Sequence, residues 1–324
     1  MKAFFTSPLA DDFKGFLQFK RSLGYKYVRA EFTLRQFDHF LQGYVAEHKD
    51  WQLDRAILTW LGNKPQRKPI SVSMDTAVLR QFCVYLRRLP DRSNLREPLW
   101  PKLPTESTFA PHVLSRKDVQ RLLQLAARLD RPPFRAILYR ALLLILYCTG
   151  LRFGEALRLR MRDIDIGSGL LFVEQSKGRA RWVPFHRSLA KELDKYLIAR
   201  RVFAPTRPED YFLVGANKRK LPVGTASENV RKLLRKAGLK PDQGRMGPRP
   251  YDLRHTFAVH RLTRWYEQGI DLNARLPWLS AYMGHNDILG TETYLTATPR
   301  LLSFAANRFY RRYQSSNLKT ESDS

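Results

Sequence analysis

Four short segments of the chain join a basic residue to a local signal for ordered backbone. The first is Thr149-Gly150-Leu151-Arg152-Phe153-Gly154-Glu155-Ala156-Leu157. Two glycines bracket Arg152 at a break between helices, so its guanidinium can project into a cleft while Glu155 orients it from the next turn. The second is Lys177 in the turn Gln175-Ser176-Lys177-Gly178-Arg179, followed by Arg181, Val183 and Pro184. A lysine at a hairpin tip can reach a bound backbone. The third, Pro250-Tyr251-Asp252-Leu253-Arg254-His255-Thr256-Phe257-Ala258, opens a helix after a loop rich in glycine and proline. That places Tyr251, Arg254 and His255 on a first turn, near the positive end of the helix dipole. The fourth is Met283-Gly284-His285, followed by Thr291, Thr293 and Tyr294. Basic groups held in this way suit phosphate chemistry.

The elements that must position these segments are mostly helical. Apolar residues at spacings of three and four predict helices around Phe13 to Phe19, around Phe32 to Tyr44, over 54–61, and from Ser71 to Leu86. These four form a compact all-α module. Pro98, Pro101, Pro104 and Pro111 then interrupt a polar stretch that reads as an interdomain linker. Beyond it, Ser115 is placed to cap a helix, and Pro133 starts a long apolar helix that ends at Thr149-Gly150. Helix is expected to resume over 154–161. Two strands, 170–174 and 180–185, flank the turn that carries Lys177. Further helices are expected over 187–202, 225–237, 251–268 and 275–283. The expected boundaries are 1–97 for the first domain, 98–112 for the linker, 113–313 for the second domain and 314–324 for a disordered polar tail.

Composition narrows the partner. Among 324 residues, 57 Lys and Arg face 30 Asp and Glu, a formal net charge of +27. The excess is spread along the chain, with 17 basic against 10 acidic residues in the first hundred and 40 against 20 in the rest. A positive balance interleaved with folded segments calls for a polyanion, and the phosphate backbone of nucleic acid is the commonest one. A hydrophobic content of 44% supports a real core and argues against disorder. No apolar run approaches the ~20 residues of a membrane helix, and the N-terminus does not read as a signal peptide. Cys83 and Cys148 are too few for a disulfide framework or a multi-cysteine zinc site, so a cytoplasmic, nucleoid-associated setting is expected. There is no Walker loop, no His-Glu-x-x-His and no pair of ligands at metal spacing, so no metal or cofactor is expected.

Taken together, the four segments resemble the tyrosine recombinase (phage integrase, Xer-like) family over roughly residues 114–307. Arg152 and Glu155 fit its T-G-x-R-x-x-E box, Lys177 to Pro184 its hairpin lysine, 251–258 its H-x-L-R-H-x-x-A box, and His285 with Tyr294 its L-G-H and downstream tyrosine. One departure stands out, since Tyr251 occupies the place of the family's usual histidine. The resemblance implies a mainly α protein: an N-terminal SAM-like four-helix core-binding domain, and a mostly helical catalytic domain with a small antiparallel β-sheet. It implies a site-specific recombinase that cuts and rejoins double-stranded DNA through a 3′-phosphotyrosine. Tyr294 would be the nucleophile, Arg152 and Arg254 would neutralise the phosphate, and Lys177 would be the general acid. His285 would hydrogen-bond the phosphate and help handle the Tyr294 proton. Glu155 and His255 would support the others, and Tyr251 would assist. The family's assembly is a homotetramer on paired sites, with the segment 301–313 packing on a neighbouring subunit and accessory partners left open. The rival readings are a type IB topoisomerase and a non-enzymatic DNA-binding protein of the same fold. Trp182 and Trp278 are expected to pack near the site, and Lys218-Arg219-Lys220 and Arg311-Arg312 to be solvated or to touch phosphates.

Overall fold

Phe13, Phe16, Phe37 and Phe82 are fully buried, and they draw four helices together. In the computed structural model these are α1 (Ala10–Ser22), α2 (Val28–Glu47), α3 (Leu53–Gly62) and α4 (Pro69–Leu86). The structure describes residues 5–63, 67–90, 111–129, 133–174, 180–244, 246–285, 289–292 and 294–295. Its internal contacts divide the chain into two units, Met1–Thr108 and Phe109–Ser324. The proline stretch up to residue 110 and the segment 301–313 lie outside the described residues.

In the first unit the rings of Phe13 and Phe82 sit 4.6 Å apart, and Trp60 meets Phe37 edge-on at 5.5 Å. The buried carboxylate of Asp38 accepts from the backbone N–H groups of Thr6 and Ser7, both at 3.0 Å, which ties the N-terminal strand of chain to α2. Phe32, grouped with the apolar pattern in the sequence, is 63% exposed. The buried stripe of α2 runs through Ala30, Thr33, Leu34, Phe37, Asp38 and Leu41, and Phe32 falls between its rows.

The second unit is organised by α6 (Pro133–Thr149), apolar on almost every side and with ten of its residues buried. It packs against α5 (Arg116–Ala127), α8 (Arg187–Phe203) and α10 (Asp252–Glu267). Ser115 caps α5 as expected, its hydroxyl accepting from Asp118 N at 3.1 Å while Asp118 accepts from Ser115 N at 3.0 Å. After α6 come the single turn α7 (Phe153–Ala156), then β1 (Ile164–Asp165), β2 (Leu170–Val173) and β3 (Arg181–Pro184). The remainder is helical: α9 (Val223–Lys236), α11 (Leu272–Met283) and the short α12 (Leu289–Glu292). Among the described residues no helix is long and apolar enough to cross a membrane.

Two expectations are corrected here. Helix does not continue to residue 161, because the chain there takes partners elsewhere. Leu159 O accepts from Phe212 N at 2.7 Å and Met161 N donates to Asp210 O at 2.9 Å. The sheet has three antiparallel strands in the order β1-β2-β3, the first being a two-residue strand that pairs Ile164 with Leu171. In the β2–β3 hairpin Leu171 faces Val183 and Val173 faces Arg181. Lys177 lies in the segment joining those strands, residues 175–179, which is outside the described residues.

Candidate active site

Three arginines converge on the last turn of α11. Arg181 Nε donates to Tyr282 O at 2.8 Å, Arg254 Nη2 to Met283 O at 2.9 Å, and Arg152 Nη2 to Gly284 O at 2.7 Å. The final carbonyls of a helix lack partners within it and carry the negative end of its dipole, so guanidinium groups are well suited to close it. Arg254 also donates from Nη1 to Gly150 O at 2.7 Å, which fixes the end of α6 to the same point.

Glycine is required at both of those carbonyl positions. Gly150 has φ +63°, and a Cβ there would run into the Phe257 ring. Gly284 has φ +70°, and its Cβ would lie 2.6 Å from Arg181 Nη1. A side chain in this left-handed region costs roughly 1–2 kcal/mol before any clash. Gly284→Ala is therefore expected to lower the melting temperature of the chain by roughly 2–8 °C and to slow the reaction by displacing Arg181. Gly238→Ala is the matching control. Gly238 has φ +69° with nothing within 4 Å of its Cβ, so it carries the strain alone. Thermal melts and cleavage rates of the two variants separate strain from displacement.

Glu155 lies beneath the arginines with its side chain fully covered. It accepts from Arg152 N at 2.9 Å, Arg152 Nη1 at 2.8 Å and Arg181 Nη2 at 2.9 Å. Burial by itself would raise its pKa, but the hydrogen bonds from Arg181 and Arg152 and the Arg181 charge outweigh it and hold the carboxyl down at about 2. Glu155 is thus a fixed anion that orients two guanidinium groups. Arg181 was in view in the sequence only as part of the hairpin motif and not as a site residue. Its signal was the strand alternation that places it on the same face as Val183.

Arg254 is 1% exposed, and its Nε has no hydrogen-bond partner. Burial lowers its pKa from the ordinary value, although a guanidinium remains charged at any working pH. The charges of Arg254 and Arg152 both act on the hydroxyl of Tyr294 and favour its ionised form, against a larger effect of burial, which raises its pKa. Tyr294 is 3% exposed and sits in an apolar cluster with Phe257, Leu262, Leu279 and Met283.

Two histidines flank that tyrosine. His255 Nδ1 lies 3.2 Å from the Tyr294 hydroxyl. The His285 ring is stacked on Tyr294 with centroids 6.2 Å apart, while its Nδ1 is hydrogen-bonded to Thr291 Oγ1 at 2.7 Å. Thr291 O in turn accepts from Tyr294 N at 3.0 Å, so the buried Thr291 ties the two together. The Tyr294 hydroxyl is thus within hydrogen-bond reach of His255, with the His285 ring stacked beside it. Tyr251, at the start of α10, is 39% exposed and meets the His255 ring edge-on at 4.9 Å. Arg152, Glu155, Arg254, His255, His285 and Tyr294 are therefore brought together, with Arg181 and Thr291 added. Trp182 and Trp278 are 62% and 71% exposed, and Trp182 meets the Phe172 ring at 4.9 Å. Trp182 alternates out of the strand face that buries Val183, and Trp278 lies off the α11 stripe of Leu276, Leu279, Ser280 and Met283.

The site thus gathers a buried tyrosine, two histidines, the buried Arg254, and two arginines that share one carboxylate. Comparison with known proteins gives its class. Residues 112–300 match the Phage integrase family. The protein y4rB of Sinorhizobium fredii, named as an integrase/recombinase, is 32% identical over 306 residues, covering 92% of this chain and 96% of its own. Tyrosine recombinase XerA of Thermococcus kodakarensis is 29% identical over 269 residues, covering 82% of this chain and 85% of its own. Among solved structures, a lambda integrase dimer bound to a COC′ core site superposes with a TM-score of 0.60 at 18% identity, covering 92% of this chain and 79% of that one. The Tn1549 transposon integrase in complex with transposon right end DNA gives 0.66 at 14% identity, covering 93% and 98%. The chain belongs to the phage integrase family, and it is a tyrosine site-specific recombinase.

Proposed function

We propose that the Tyr294 hydroxyl attacks a phosphodiester of double-stranded DNA at a specific recombination site. The oxygen–phosphorus bond forms as the bond to the 5′-oxygen breaks, leaving a 3′-phosphotyrosine and a free 5′-hydroxyl. The phosphodiester bond energy is retained in the adduct, so a 5′-hydroxyl from another strand reverses the step without ATP. Arg152 and Arg254 neutralise the non-bridging oxygens as charge builds, and as preorganised donors they need little reorganisation at the moment of reaction. Lys177 protonates the departing 5′-oxygen, His285 hydrogen-bonds the phosphate, and Glu155 holds Arg152 and Arg181 in place. Tyr251 contributes a hydroxyl at the rim.

The observation that carries this reading is Arg254. A guanidinium that is 1% exposed, has an Nε without a partner, and acts electrostatically on the hydroxyl of a buried tyrosine is poised for an anion that arrives at that hydroxyl. The +27 net charge supports a nucleic-acid partner, and the solved relatives of this fold include ones bound to a core site and to a transposon end. Recombination needs two duplexes, so the working assembly is a homotetramer on paired sites, in integration, excision, transposition or resolution, with accessory proteins where the site demands them. The conserved-energy chemistry requires no metal or cofactor.

The test uses the full chain and a nicked duplex that carries the site footprinted in the DNA flanking its gene. In EDTA, a covalent protein–DNA adduct is expected, and peptide mapping is expected to place the nucleotide on Tyr294. An adduct on another residue, or cleavage that requires Mg²⁺, would overturn the assignment. Supercoil relaxation by dilute monomer without paired sites would favour the topoisomerase reading.

A further inference from the structure

The proton on the nucleophile has to go somewhere, and the structure offers an acceptor that the sequence motif does not assign. His255 Nδ1 lies 3.2 Å from the Tyr294 hydroxyl, within reach of a hydrogen bond. On the far side of the same ring, Nε2 lies 3.9 Å from Asp252 Oδ1, an ion-pair distance. Asp252 is fully buried and is held by Arg249, whose backbone N–H donates at 2.7 Å and whose Nη2 donates at 3.2 Å. The groups therefore form a line from Arg249 through Asp252 and His255 to Tyr294.

We infer that His255 is the general base of the reaction, taking the Tyr294 proton on Nδ1 while the Asp252 charge near Nε2 favours the Nε2–H tautomer. This rests on the reading of Tyr294 as nucleophile. In the forward step the Tyr294 O–H bond breaks, its proton moves to His255 Nδ1, and the oxygen bonds to phosphorus. In the reverse step the imidazolium returns that proton as the phosphotyrosine is released. The nearby carboxylate favours a proton on Nε2 and stabilises the imidazolium once it forms.

The position one turn earlier offers no second acceptor of this kind. Residue 251 carries a phenol, which cannot accept a proton to become a cation, and residues 251 and 255 lie one turn apart on the same face of α10. Of these two positions only 255 carries a group that can take up a proton as a cation. Among the described residues, Asp252, Arg249 and Arg254 act on His255 by charge, Tyr251 by ring contact and Tyr294 by its hydroxyl. Burial lowers the His255 pKa, with Arg249 and Arg254 adding to it and Asp252 opposing. The imidazole is accordingly neutral at pH 7, the form that a base needs.

Single-turnover adduct formation on the nicked duplex tests this, with a matched duplex whose 5′-bridging oxygen at the scissile position is replaced by sulfur. Sulfur leaves without a proton, so it relieves loss of a general acid and not loss of a base. His255→Ala is expected to slow adduct formation by on the order of 100-fold or more on both duplexes, with imidazole in the buffer restoring part of the rate. The wild-type rate is expected to fall as pH drops through a value below 6.5, and this acid limb should vanish in the variant. His255→Gln keeps a polar group of similar size without the proton chemistry, and is expected to be as slow as His255→Ala while melting like the wild type. A wild-type rate in either variant would overturn the inference, as would full rescue by sulfur or an unchanged acid limb. A wild-type chain that forms no adduct on Tyr294 would instead overturn the nucleophile assignment itself.

Discussion

Tyr294→Phe is expected to bind its DNA site as tightly as the wild type and to form no covalent adduct at all. The ring is 3% exposed, packed among Phe257, Leu262, Leu279 and Met283, and phenylalanine fills the same volume. The change removes the hydrogen bond to His255 at 3.2 Å and the one with the Arg254 side chain. Their net loss is of order 1–3 kcal/mol, too little to unfold the unit. The neighbouring phenol, Tyr251, is 39% exposed and meets the His255 ring edge-on at 4.9 Å, and it is not expected to substitute. A gel-shift titration alongside the suicide-duplex assay checks both halves of the expectation. Adduct at the wild-type yield from this variant would refute the nucleophile.

Arg254→Ala is expected to fail in two ways that can be measured separately. Loss of a preorganised cation at the reacting phosphate slows such reactions by about 100-fold or more. The same truncation leaves the buried carbonyls of Gly150 and Met283 without their donor. Each orphaned group costs on the order of 1–3 kcal/mol, so the melting temperature falls as well. Arg254→Lys keeps a charge but offers one ammonium where two nitrogens now reach carbonyls on different elements. It should recover part of the stability and little of the rate. Rates are compared at a temperature where circular dichroism shows each variant folded. A variant as fast as wild type under those conditions would remove Arg254 from the mechanism.

Much of the site was legible in the sequence because its information is local. Arg152 and Glu155 are three residues apart, and that spacing alone places the carboxylate on the arginine's backbone and fork. Gly150 and Gly284 announce left-handed helix ends, and Ser115 with Asp118 announces a cap. What escaped reading depends on partners distant in the chain. Arg181 meets Glu155 across 26 residues and Tyr282 across 101, and no local pattern encodes either choice. Residues 157–161 have helical character, yet the 210–212 segment claims their backbone groups. His255 presented the hardest case. Its place beside Arg254 suggested support, and only the return of the chain at Tyr294 shows which atom it faces.

The arginine contacts on the end of α11 also bear on when, during folding, this protein becomes able to break DNA. Arg152 reaches Gly284 across 132 residues and Arg181 reaches Tyr282 across 101, while Arg254 ties Met283 to Gly150, the latter across 104. Contacts so distant close large loops, and they form late because the chain entropy lost in closing them must be met by structure already in place. A chain still on the ribosome, synthesised only as far as α10, has its three guanidinium groups and no carbonyl from 282–284 to fix them. A partly unfolded chain is in the same condition. It can still adhere to DNA through its general positive charge, but its phosphate pocket is not assembled. The pocket is therefore expected to assemble late, together with the complete fold.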